Sequence, residues 1–194
     1  MINPGFIWLG VALSVIGATG YIRATISGRA MPNRVTWGLW GFEGVIGFLV
    51  EIGQGVGPGS LITLMFGVIP LAVVVASFFS RSGVWKIEML DIACMVGALA
   101  GVAAWGLVNS GTLALVCLVG ANTLAGVPTL VKAWKVPESE SSLAARYGVG
   151  YCLIALGVLT RFTSAGVLFP GSVLLFDLLM VVVLDIIKRP RANR

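Results

Sequence analysis

Apolar residues gather into seven long runs, over residues 5–26, 36–54, 59–80, 86–108, 111–132, 143–162 and 168–187, separated by short segments where proline, glycine and basic residues collect. Each run is roughly 20 residues long, the length a helix needs to cross a hydrocarbon core about 30 Å thick. The pattern predicts seven transmembrane helices, an all-α membrane protein. The runs use nearly all of the 194 residues, so no separate soluble domain is expected. The first run lacks a basic leader and a small-residue cleavage site and is read as a retained helix.

Two features of the pattern recur. Met31-Pro32-Asn33-Arg34 stands between the first and second runs, and Val136-Pro137-Glu138-Ser139 stands between the fifth and sixth, again behind a basic segment and ahead of a new span. Pro58-Gly59-Ser60 and Pro170-Gly171-Ser172, 112 positions apart, each open the third run of a set of three. An odd connecting helix lets two sets of three share one orientation, giving a parallel repeat with its axis along the membrane normal. The expected organisation is 3+1+3: a first triple-helix half over 1–82, a linker transmembrane helix over 83–109, and a second triple-helix half with a basic tail over 110–194.

Composition agrees with this class. The chain is 58% hydrophobic and 11% charged, with a mean hydropathy of +1.00, outside the range of soluble domains. Of the 13 basic residues, 12 fall on one side of the predicted spans: Arg23, Arg29 and Arg34, then Arg81 and Lys86, then Lys132, Lys135 and Arg146, then Lys188, Arg189, Arg191 and Arg194. Arg161 alone lies opposite. The positive-inside rule then places the amino terminus outside and the carboxyl terminus in the cytoplasm. It also accounts for the net charge of +5 without nucleic acid, since a basic tail beside a membrane meets anionic lipid headgroups. Cys94, Cys117 and Cys152 lie within runs, and there is no histidine, so neither a metal site nor a disulfide is expected. No cofactor is implied. Short loops suit a bacterial inner membrane.

With these residues in view the chain resembles the PQ-loop superfamily, whose members include SWEET sugar transporters, lysosomal cystine and cationic amino-acid exporters and the KDEL receptor. The resemblance rests on two three-helix halves joined by a linker helix, and on the segment Val127 to Glu140 with its counterpart Met31 to Trp40. Neither copy has the glutamine that names the superfamily, since Asn33 follows Pro32 and Glu138 follows Pro137. The resemblance implies alternating access around a mid-membrane site, with Pro32, Pro128 and Pro137 as loop or hinge positions.

Several polar groups interrupt the runs. Trp37 and Trp40 either flank a site or form part of an interfacial aromatic belt. Gly38, Gly41, Gly44 and Gly47 recur every third residue, a seam that permits close helix approach. Glu43 lies roughly two turns into its span, where an ionisable group is expected to face the bundle interior or a cavity. Glu51 sits at the outer boundary. Asn122 and Asp177 lie near mid-span, and superposing the two Pro-Gly-Ser triplets sets Asp177 against Met65. Asn122 either contacts solute or bonds across helices. Tyr147 and Tyr151 share one face of their helix, to present hydroxyls or to pack. Pro128 frees a backbone carbonyl that needs another partner. Asp91 is expected to pair with Lys86, Asp185 to pair with Lys188, and Gly97 and Gly101 to mark a tight helix contact.

The substrate-binding candidates are Trp40, Glu43, Asn122, Tyr151 and Asp177, with Glu43 and Asp177 also candidates for proton coupling. An acidic site with no deep lysine or arginine favours a cationic or hydroxyl-rich solute. The expected function is a secondary transporter or facilitator of a small polar solute. The alternative is a non-transporting receptor or scaffold resembling the KDEL receptor. Serine–histidine pairing, metal-ligand spacing and phosphate-cradling motifs are missing from the sequence, which disfavours an enzyme.

Overall fold

The computed structural model describes residues 3, 5–53, 55, 57–80, 86–107, 111–159 and 168–187. Among these there are seven α-helices and no strand. They are α1 (Phe6–Ile26), α2 (Arg34–Gly53), α3 (Ser60–Ser77), α4 (Met89–Leu107), α5 (Gly111–Lys135), α6 (Ser142–Leu159) and α7 (Leu168–Val181). 3₁₀ turns over Gly57–Gly59 and Pro137–Ser139 precede α3 and α6, and α7 continues as a π-helical stretch over Val182–Ile187. Three helical segments are long and apolar enough to cross a membrane: Phe6–Ile26, Gly57–Ser77 and Leu168–Ile187. Arg81, Arg161 and the basic tail from Lys188 onward lie outside the described residues, as does the side chain of Glu51.

Local chemistry sets the helix ends. α1 stops at Gly28, whose φ of 79° is the left-handed conformation a helix terminus uses, with the Arg29 N–H turned back to the Ala24 carbonyl at 2.8 Å. Asn33 caps α2, its Oδ1 accepting from the backbone N–H of Val35 at 3.0 Å and Thr36 at 3.3 Å. Ser141 Oγ accepts from the Ala144 N–H at 3.3 Å at the start of α6. Both cap residues lie just downstream of the recurring prolines. Asp91, in the first turn of α4, accepts the Glu88 N–H at 2.5 Å and also the side-chain amide of Asn33. Its role is to cap α4 and join that helix to the first proline loop, which replaces the expected pairing with Lys86.

The helices pack in a closed order: α1 on α3, α3 on α2, α2 on α5, α5 on α7, α7 on α6, and α6 back on α1. α4 stands outside this ring, against α5 and more lightly against α2. In each set of three, the last helix sits between the first two. The paired serines behave alike: Ser60 Oγ donates to the Gly57 carbonyl and Ser172 Oγ to the Phe169 carbonyl, both at 2.7 Å.

Glycine governs the closest contacts. A Cβ at Gly67 would stand 2.7 Å from the Val45 backbone nitrogen, and one at Gly41 would stand 2.6 Å from the Leu71 side chain. Gly44 abuts the Gly67 backbone directly. Of the four glycines in the α2 seam, Gly41, Gly44 and Gly47 face α3, whereas Gly38 faces open space. On α4, a Cβ at Gly101 would stand 3.2 Å from the Cys117 carbonyl, so this helix does seat closely on α5.

Large apolar side chains stand on the outside and several polar ones inside. Trp8, Leu49, Val75, Phe79, Val96 and Leu175 are exposed on the outside, while Ser14, Thr25, Glu43, Asn122, Thr129 and Lys132 are buried. An apolar exterior over a polar-containing interior is what a lipid solvent selects.

Candidate functional site

The ring encloses a cavity of about 160 Å³, to which all six of its helices contribute and α4 does not. Ten to fifteen cubic ångströms hold one water, so there is room for a small solute. Aromatic rings shape the walls. Tyr21, Trp37, Trp40 and Phe176 follow one another at centroid separations of 4.9, 5.6 and 4.9 Å, crossing from α1 through α2 to α7. Opposite them, Phe66 of α3 touches Tyr151 at 4.7 Å and Phe169 at 5.6 Å.

Four of the five expected binding residues line this cavity: Trp40, Asn122, Tyr151 and Asp177. The Trp40 indole N–H donates to the Asn122 carbonyl at 3.1 Å, tying α2 to α5. The Asn122 amide lies 3.4 Å from Ser172 Oγ, and Thr129, seven residues on along the same face of α5, also lines the cavity. α5 is continuous through Pro128. The Tyr151 hydroxyl donates to the Ile62 carbonyl, whereas Tyr147 packs over Gly17. Asp177 rests against Gly148 of α6, where a methyl group would overlap its carboxylate, and receives the Cys152 thiol at 3.7 Å. Met65, its counterpart under the triplet superposition, lines the cavity too.

Glu43 departs from expectation. It is fully buried but lies outside the cavity lining, and neither carboxylate oxygen has a hydrogen-bond partner. Leu39, one turn earlier, packs among Ala98, Ala121 and Ala125, which sets this face of α2 toward α4 and α5. Placement as a solute ligand is therefore corrected: Trp40 faces the cavity and Glu43 is turned from it.

Sequence reasoning missed the network that closes one end. The Met31 N–H donates to the Ser139 carbonyl at 2.9 Å, so the two proline loops are bonded to each other. Lys132 lies beneath them, buried, donating to the Met31 carbonyl and ion-paired with Glu140. Tyr21 donates to the other Glu140 oxygen at 2.7 Å. Lys132, counted from sequence among the flanking surface cations, is an interior group. Opposite charges either side of Pro137 were legible, but the partners on α1 and the first loop were not. Asp185 pairs with Arg146, whose Nε and Nη2 reach its Oδ2 at 2.9 and 2.7 Å, while its expected partner Lys188 lies outside the described residues. At the other end, Ile7, Ile62, Tyr151, Ala155 and Val158 form an apolar plug.

No group of histidine, cysteine, aspartate or glutamate among the described residues could hold a metal ion. Comparison with protein-family models, with curated proteins and with solved structures returns no match for this chain.

Proposed function

We propose that the chain is a seven-span integral membrane protein of 3+1+3 organisation, resembling the PQ-loop and SWEET group, that moves a small polar solute by alternating access. The observation that carries this reading is the ring itself. Packing order repeats between α1–α3–α2 and α5–α7–α6, the contacts between halves are the corresponding pairs α1–α6 and α2–α5, and the cavity lies at their common centre. A central cavity between like halves is the arrangement that rocking of one half against the other can expose to either side.

The bonded proline loops support a gate at one end. Opening there separates Met31 from Ser139 and strips Lys132 and Glu140 of partners, a cost that a bound solute or relocated water must offset. Arg34, Lys135 and Arg146 lie toward this end, which favours a cytoplasmic position for it and an outside amino terminus. An inner bacterial membrane is the setting proposed.

The test is flux in proteoliposomes with a panel of small labelled solutes. A variant carrying Met31→Cys and Ser139→Cys, with Cys94, Cys117 and Cys152 replaced, permits the loops to be cross-linked. The expected result is uptake of at least one solute, blocked by the cross-link and restored by reduction. Uptake of no solute by a protein that still binds one would favour the receptor alternative.

A further inference from the structure

Resting on the reading of the cavity as the solute site, we infer that its ligand is a small organic monoamine, a single ammonium on an apolar or aromatic body. Polar groups along the walls are largely engaged already. Ser14 Oγ donates to the Val11 carbonyl at 2.7 Å, Tyr21 to Glu140, Tyr151 to the Ile62 carbonyl, and the Trp40 indole to the Asn122 carbonyl. A polyol would bring many hydroxyls to walls with few free partners, and each one left unpaired weakens binding. Three groups remain better placed for a ligand. Asp177 meets the Cys152 thiol at the long distance of 3.7 Å, and the buried Thr129 hydroxyl and Trp37 indole N–H have no hydrogen-bond partner.

Charge selects further. Among the described residues no lysine or arginine lines the cavity, and Lys132, toward the end with the bonded loops, is ion-paired with Glu140. An anion, or the carboxylate of an amino acid, would lie buried without a counterion. An ammonium has Asp177 to receive it. The rest of such a ligand meets Trp40, Phe176, Phe66 and Phe169, whose ring faces favour a neighbouring cation as well as an apolar body. Gly148 keeps α6 clear of the Asp177 carboxylate, which a larger residue would displace.

The experiment titrates the purified full-length protein in detergent, read by tryptophan fluorescence, with 2-phenylethylamine, 2-phenylethanol, phenylalanine and glucose. The alcohol removes the ammonium, phenylalanine adds a carboxylate, and glucose removes the ammonium and the aromatic body together. The expected result is saturable binding of the amine, about tenfold or more tighter than the alcohol or the amino acid, with the preference lost in Asp177→Asn. The ranking on the unaltered protein needs no variant to fold. Tighter binding of glucose or phenylalanine overturns the amine while leaving the cavity a solute site. So does an amine preference that survives Asp177→Asn. Binding of none of the four also overturns it, and the cross-linked flux experiment then judges the cavity separately.

Discussion

Individual side chains carry the clearest tests. Glu43 is buried with two unpartnered oxygens, and an unsatisfied buried polar group costs about 1–3 kcal/mol. Glu43→Leu is expected to raise the thermal midpoint, by about 2–4 °C for each kcal/mol recovered in a chain of this size. Because the residue lies off the cavity, ligand affinity should hold within about twofold; a large loss of affinity would return Glu43 to the site. Glu43→Gln asks a separate question, whether the pH dependence of flux runs through this carboxylate, and an unchanged profile would remove it from proton coupling. Lys132→Met leaves Glu140 buried beside Tyr21 without its cation, and should destabilise by about 3–5 kcal/mol. Adding Glu140→Gln should recover part of that loss, and no recovery would mean that Lys132 acts through the Met31 carbonyl alone. These residues divide by legibility. Asp177, Asn122 and Trp40 stood out as polar or amphipathic interruptions of apolar runs. Lys132 did not, because a lysine near the end of a span reads as a snorkelling surface cation whenever its partners are far along the chain.

Among the helices, the glycine pattern separates close contacts from incidental ones. Gly44→Ala puts a methyl group into the Gly67 backbone and should cost about 1–3 kcal/mol as α2 and α3 are forced apart. Gly38→Ala meets open space, so the gain in helix propensity, up to about 1 kcal/mol, should appear as a slightly higher midpoint. Equal effects at the two positions would contradict the α2–α3 contact. Helix positions were readable because each run is predominantly apolar and local punctuation marks ends such as Gly28 after α1 and Asn33 before α2. The period-three glycines were visible too, but only packing distinguished Gly38 from its neighbours.

For the molecule as a whole, the bonded proline loops stand at one end of the cavity and an apolar cluster at the other. Cross-linking Met31→Cys to Ser139→Cys should therefore preserve the midpoint or raise it while blocking flux, since it fixes an arrangement already present. A cross-linked protein that still transports would place the moving gate elsewhere. By itself the sequence determined the helical class, the positions of the helices and the recurrence of proline and Pro-Gly-Ser at matching places. Such features are local: in lipid each backbone polar group must be satisfied within its own helix, so a long apolar run has one available structure. Tertiary structure decided which face of each helix meets the cavity. Trp40 and Glu43 differ by about 60° around the α2 axis, and a helix apolar on all sides carries little in its pattern to orient it. Only packing placed the first in the cavity wall and left the second out of it, and only packing brought Tyr21 to Glu140 across 119 positions.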